Sequence, residues 1–248
     1  MADSDSHWRR WGESDPYFGV LCEQRFRAGE IARHREDFFR SGPPVVEERL
    51  AAAERHFGLF GRERALEFGC GVGRLTLPLA AAFNHVTALD IAPAMLAEAQ
   101  RNAQAAGRDT IRFALSDDRL SAAEGAYDFV LSSIVFQHIP RRRGLAVLAR
   151  LLDRVAPGGI AAIQLCVGRH DSLASRARFW AQCHVPGVHE LVNIKRGRPW
   201  REPFMQMNAY PLDAVLGLAE AANFGPCAIS SFADHRFRSA DLLMRRQG

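Results

Sequence analysis

The chain has 248 residues, 48% of them hydrophobic, and a net charge of +4 from 32 basic and 28 acidic side chains. Length and composition provide for one sizeable core and argue against disorder over most of the chain. The near balance of charge, without a concentrated basic arm, argues against a nucleic-acid binder. Five widely spaced cysteines with no CxxC pair suit a reducing, cytoplasmic compartment. The opening run "MADSDSHWRRWGESDP" is polar and charged, and reads as neither a signal peptide nor a membrane anchor.

In chain order, residues 20–39 alternate in a helix-like manner, "SGPP" at 41–44 breaks the pattern, and a second helix runs through roughly residue 57. Strand and helix then alternate: "RALEF", a helix from about Arg74, "HVTALD", a helix over 93–106, "TIRFAL", a short helix, "YDFVLSSIV", a helix over about 141–155, and "GGIAAIQLCV". That rhythm with short connections predicts an α/β fold, a largely parallel sheet covered on both faces. Residues 168–210 have no clean period and predict an irregular excursion, usually a functional or mobile one. "PLDAVLGLAEAANFG" reads as a helix closed by Gly225. "CAISSFA" and "SADLLMRR", either side of "DHRFR", read as an antiparallel hairpin finishing the sheet.

The stretch "EFGCGVG" at 67–73 sets Gly69, Gly71 and Gly73 between the first strand and its helix, where bare backbone lets amides approach a ligand. The dinucleotide fingerprint needs its third glycine one position later, where Arg74 stands. Glu67, at the strand end, would repel a pyrophosphate and suits a positively charged ligand.

This acid-x-G-x-G-x-G pattern resembles the first motif of the class I S-adenosylmethionine-dependent methyltransferases, small-molecule type, over about residues 65–163 and more loosely to the terminal hairpin. The resemblance implies a Rossmann-like fold: a seven-stranded, mostly parallel sheet with an antiparallel last strand and helices on both faces. It implies S-adenosyl-L-methionine as cofactor and S-adenosyl-L-homocysteine as product. It assigns Glu67, Gly69, Cys70, Gly71 and Gly73 to the methionine part, and Asp90, 21 residues after Gly69, to the ribose hydroxyls. Ile91 and Met95 would flank the adenine. Asp117, after Ser116, resembles the acceptor for the adenine amino group, a role adjacent Asp118 also suits. Ser132 and Gln137 complete the cofactor-binding candidates, with a simple turn as the other reading of Gln137.

Methyl transfer is an in-line displacement, so the protein aligns the acceptor, excludes water and, where needed, removes a proton. His138, after the fourth strand, is the candidate general base, with local packing as its alternative. The NPPY or DPPY signature of amine methyltransferases acting on nucleic acid is missing, and Ser132 and Ser133 stand there. Cys166 reads as a buried cysteine, because the fourth strand lacks the proline-cysteine pair that would accompany an attacking thiol. Arg141, Arg142 and Arg143 open the next helix as an anion site or a solvated face. Tyr17, His170, Trp180, His184 and Tyr210 are candidate acceptor contacts, with Asp171, His189 and Trp200 beside them. No metal is expected, because Pro186 and Gly187 break any shared face between His184 and His189.

Trp8, Trp11, Tyr17 and Phe18 form either a lid or a packed aromatic cluster. The organisation expected is an N-terminal helical lid or cap over 1–57 and a methyltransferase domain over 58–248, with an insertion at about 168–210. The expected activity is methyl transfer to an oxygen or nitrogen of a small polar metabolite, without membrane or nucleic-acid partner. The rivals are a nucleic-acid or protein methyltransferase, a non-catalytic cofactor-binding regulatory module and, disfavoured by the GxGxG spacing, a nicotinamide oxidoreductase.

Overall fold

The computed structural model describes residues 4–170, 172–233 and 236–248. The candidate Asp171 and the first two residues of the "DHRFR" turn lie outside the described residues. Ten helices are described: α1 (Ser4–Ser14), α2 (Pro16–Val20), α3 (Ile31–Arg40), α4 (Gly42–Phe57), α5 (Thr76–Ala82), α6 (Pro93–Ala105), α7 (Arg141–Asp153), α8 (Leu173–His184), α9 (Val188–Lys195) and α10 (Leu212–Ala221). The strands are β1 (Arg64–Phe68), β2 (His85–Asp90), β3 (Ile111–Leu115), β4 (Tyr127–Ser132), β5 (Val155–Arg169), β6 (Phe224–Ala233) and β7 (Phe237–Arg246).

They form one sheet in the order β3-β2-β1-β4-β5-β7-β6. β1 to β5 pair in parallel, and β7 runs antiparallel to both β5 and β6. The Rossmann-like α/β fold expected from the sequence is therefore the one formed. The hairpin's second strand inserts against β5 and leaves β6 at the edge, an order that periodicity does not carry.

The central strands are near-continuous apolar runs because helices cover both faces. Leu66, Val130, Ala161 and Ile163 pack with α7 and α10. Ala65, Phe129, Leu131 and Ile160 pack with α4 and α5. β1 lies between β2 and β4, so the chain leaves it in opposite directions. The crevice beyond the carboxyl ends of β1 and β4 is the switch point at which open α/β sheets bind ligands.

Several local expectations change. The helix expected over 20–39 starts only at Ile31, behind a 3-10 turn at Gln24–Phe26, whereas the aromatic N-terminus forms α1 and α2. The break at "SGPP" falls between α3 and α4 as expected, with Pro43 and Pro44 in the first turn of α4, where the missing N–H has no intrahelical partner to lose. The short helix expected after β3 is a pair of turns, because the Asp117 carboxylate accepts the N–H groups of Arg119 and Ser121 (3.0 and 2.9 Å). β4 stops at Ser132 because Ile134 takes φ 60°, which no strand accommodates. The excursion at 168–210 contains α8 and α9, the first capped by the Ser172 hydroxyl accepting from the Ser175 N–H.

Candidate cofactor and acceptor site

The loop between β1 and α5 is built around three glycines of positive φ, Gly69 at 80°, Gly71 at 53° and Gly73 at 92°. The N–H groups of Gly69 and Cys70 donate to the Leu89 carbonyl at 2.8 and 2.9 Å, docking the loop on the end of β2. Asp90 completes the joint: one carboxylate oxygen accepts from the Gly71 N–H (2.8 Å) and the other from the Ala92 N–H (2.9 Å). A Cβ at Gly69 would lie 2.3 Å from the Val135 side chain, and one at Gly71 2.5 Å from Val20 of α2. The bareness of the loop thus admits the turn after β4 and the N-terminal cap, which close a chamber around it.

That chamber encloses about 950 Å³ of empty space, part of it open solvent. Glu67, Gly69, Cys70 and Arg74 line one end, with Asp90, Ile91, Ser116 and Asp117 along one wall. Opposite stand Ser133, Ile134, Val135 and His138, and α1 and α2 cover the space with Asp5, Trp8 and Val20.

The remaining candidates sit elsewhere. Gly73 and Gly71 shape the loop without lining the cavity. Met95 packs against Gly12 and Gly19 in the aromatic cluster that seats α1 and α2. Ser132 ties β4 to β1 by donating to the Phe68 carbonyl at 3.1 Å, and the Gln137 backbone carbonyl accepts from the Asn208 N–H at 2.7 Å. Tyr17 donates to Glu98 and to Asn102, which donates in turn to the Val72 carbonyl (2.8 Å), so this hydroxyl fastens the cap to α6 and the glycine loop. Tyr210 is fully buried, its hydroxyl bracing the carbonyls of Phe136 and Ile139. His170 is exposed. Trp180 and His184 stack on each other at the surface of α8, and His189 packs on Phe204. None of these lines the cavity.

The acids divide by environment. Glu67 is completely buried, and desolvation pushes its carboxyl up to about 7, against the pull of the Thr76 hydroxyl (2.6 Å) and the Arg74 charge. Burial also raises Asp90, opposed by the N–H groups of Ala92, Gly71 and Ile91. Asp117 is instead lowered by the amide and hydroxyl of Ser121. Asp118 is committed to Arg143, which it meets at 2.8 and 2.9 Å, whereas Asp117 forms no ion pair among the described residues. Arg143 also holds Asp5 of α1 (2.6 Å), so it is neither an anion site nor a solvated face but a clasp between cap and floor. Gln164 of β5 fixes the turn after β4 by accepting from the Ser133 hydroxyl and the Ile134 N–H (both 2.9 Å).

His138 is buried, stacked obliquely on Trp8 at 4.7 Å, and its Nδ1–H donates to the Gln206 carbonyl at 2.7 Å. Nε2 is therefore the ring's acceptor. Desolvation lowers the ring's pKa to about 4 despite that hydrogen bond, so at neutral pH the imidazole is uncharged. Among the described residues, no group of three or more His, Cys, Asp or Glu could hold a metal ion, and no helix is long and apolar enough to cross a membrane.

A raised carboxyl makes an apo protein lose stability as pH climbs from its unfolded to its folded pKa. For Glu67 that window runs from 4.5 to about 7, with roughly 3 kcal/mol at stake. A ligand cation needs the ionised form, so its affinity should fall about tenfold per pH unit below 7 and level off above it. Calorimetric titration with S-adenosylhomocysteine between pH 5 and 8 should show this slope in the wild type and lose it in Glu67→Gln.

Residues 65–159 match the family model described as a methyltransferase domain. Residues 65–159 are therefore a methyltransferase domain. The trans-aconitate 2-methyltransferase of Methylobacterium radiotolerans is 37% identical over 103 residues, 41% of this chain and 37% of that protein. The 23S rRNA (uracil(747)-C(5))-methyltransferase of Vibrio cholerae is 32% identical over 122 residues, 49% of this chain and 32% of that protein. The match thus spans about a third of the length of these curated relatives. Magnesium protoporphyrin IX methyltransferase from Synechocystis PCC 6803, solved with bound S-adenosylmethionine, superposes with a TM-score of 0.62 at 19% identity. That superposition covers 100% of this chain and 99% of the other. At that identity the likeness is one of methyltransferase fold.

Proposed function

We propose that the protein transfers a methyl group from S-adenosylmethionine to an oxygen or nitrogen of a small metabolite. The observation that carries this reading is the covered cavity at the switch point. One end holds the buried Glu67 carboxyl beside a glycine loop, its wall offers Asp90 and Asp117, and its far side is the apolar turn bearing His138.

The donor chemistry of these residues fits the cofactor. Glu67 would take the ammonium, Asp90 would accept from the ribose hydroxyls with lone pairs not used by Gly71 and Ala92, and Asp117 would accept from the adenine amino group. When bound, S-adenosylmethionine supplies an electrophilic methyl group on a sulfonium. Trp8 and the rest of α1 exclude water above it, and Ile134, Val135 and Ile139 give the acceptor an apolar wall. A cavity roofed by a clasped helix favours a small acceptor over a structured RNA, although one relative acts on rRNA.

His138 orients the acceptor through Nε2 in this reading. An imidazolium of pKa about 4 releases its proton too readily to be an efficient base near neutrality. The kcat at saturating cofactor should therefore show no rise across pH 6–7, and His138→Ala should reduce it by no more than about tenfold. A limb titrating near 6.5 would return His138 to the role of general base.

The reading itself is tested by calorimetry with S-adenosylhomocysteine, followed by transfer of labelled methyl from S-adenosylmethionine to a panel of carboxylic acids, phenols and amines. Cofactor binding with transfer to a panel member is the expected result. Transfer confined to an rRNA fragment would replace the acceptor class, and binding without transfer to any acceptor would favour a regulatory module.

A further inference from the structure

The cofactor reading leaves one charged group beside the glycine loop without a role. Arg74, directly after Gly73, is 6% exposed and lines the same end of the cavity as Glu67. Its Nη1 donates to the carbonyl and hydroxyl oxygens of Ser41 at 3.2 and 3.4 Å, where α3 hands over to α4. Its Nε is buried with no hydrogen-bond partner. The backbone there is held as well: a Cβ on Gly42 would lie 2.2 Å from the Arg74 carbonyl oxygen, so the start of α4 packs hard against this residue.

A guanidinium stays charged in a protein, and a buried charge is expensive unless it is paired. The other arginine lining the cavity, Arg143, is already paired with Asp5 and Asp118. Arg49, near enough to repel Arg74, is paired with Asp241. Arg74 alone of these three has no ion pair within 4 Å among the described residues; the Glu67 charge acts on it only at longer range, and Glu67 accepts from the Thr76 hydroxyl at 2.6 Å. The planar fork of a guanidinium matches a carboxylate in two parallel hydrogen bonds. An α-amino acid carries its ammonium and its carboxylate on one carbon, so an acid and an arginine side by side form the complementary pair.

We propose that Arg74 receives the carboxylate of the cofactor's amino-acid end while Glu67 receives its ammonium. The assignment rests on the cofactor reading above and adds to it the group that distinguishes the intact amino-acid end from truncated adenosine thioethers.

The test is calorimetric binding of three probes: S-adenosylhomocysteine, its decarboxylated analogue, which keeps the ammonium, and methylthioadenosine, which lacks both charges. Wild type should prefer S-adenosylhomocysteine to the decarboxylated analogue by about 30-fold. In Arg74→Met that preference should shrink to within about threefold, and Arg74→Lys should retain part of it. Methylthioadenosine should bind wild type and Arg74→Met alike, which certifies the fold of the variant. An undiminished preference in Arg74→Met, or equal loss of all three probes, would overturn the assignment. Wild-type protein that binds none of them would overturn the cofactor reading and this assignment with it.

Discussion

Asp90→Ala is expected to weaken S-adenosylhomocysteine binding by at least about 100-fold, with a net loss of about 2 kcal/mol in stability. The binding loss follows from removing the acceptor of two ribose hydroxyls. The stability loss follows from leaving the N–H groups of Gly71 and Ala92 without their partner, each an unsatisfied donor in a largely buried joint. Relief of the burial that raises the Asp90 carboxyl offsets part of that cost. Asp90→Asn should be intermediate in stability, since it keeps one acceptor oxygen but turns its amide hydrogens toward an N–H. Calorimetry and urea denaturation on the same preparations separate the two effects. A folded Asp90→Ala protein with wild-type affinity would remove Asp90 from the ribose site.

Gly69→Ala should be the most damaging change in the loop. The φ of 80° alone strains any side chain by about 1 kcal/mol. The added methyl would also sit 2.3 Å from Val135, whose turn carries His138. The expected cost is about 2–4 kcal/mol of stability, with loss of cofactor binding as the cavity end is displaced. Gly69→Ala combined with Val135→Ala should recover the part due to collision and none of that due to φ, a coupling that a double-mutant cycle reads directly. Gly73→Ala is the control: its Cβ would approach Ala99 only to 3.6 Å, so φ strain is its main penalty. If Gly69→Ala proved no more harmful than Gly73→Ala, close packing of the loop against Val135 would not matter.

Both effects have the same origin, because the glycine loop is a packing junction before it is a ligand cradle. Val20 of the cap fills the space above Gly71, and Tyr17 and Asn102 fasten that cap to the loop's Val72. Access to the cavity is therefore coupled to the seating of α1 and α2, and the Asp5–Arg143–Asp118 clasp holds the first turn of α1 down.

The strands were legible in the sequence because their signal is local. "RALEF" and "HVTALD" mark β1 and β2 residue for residue, since an apolar run bounded by charged or turn residues needs no distant information. The same holds for Glu67, the glycines and Asp90, whose spacing follows from one strand-loop-helix unit and the strand after it. What misled was equally local: a run read as strand through Val135 contains the left-handed Ile134.

By itself the sequence determined the α/β class, the strand-end acids and the glycine loop, because each depends on residues within one or two elements. Only the tertiary structure decided which candidates face the cavity. Tyr17 reaches Asn102, Arg143 reaches Asp5, His138 reaches the Gln206 carbonyl and Tyr210 braces the turn after β4, in every case across 68 to 138 positions of chain. No local period encodes such partners. The direction of each side chain, and with it the difference between a ligand contact and a strut, is set by the packing of the cap and the insertion against the sheet.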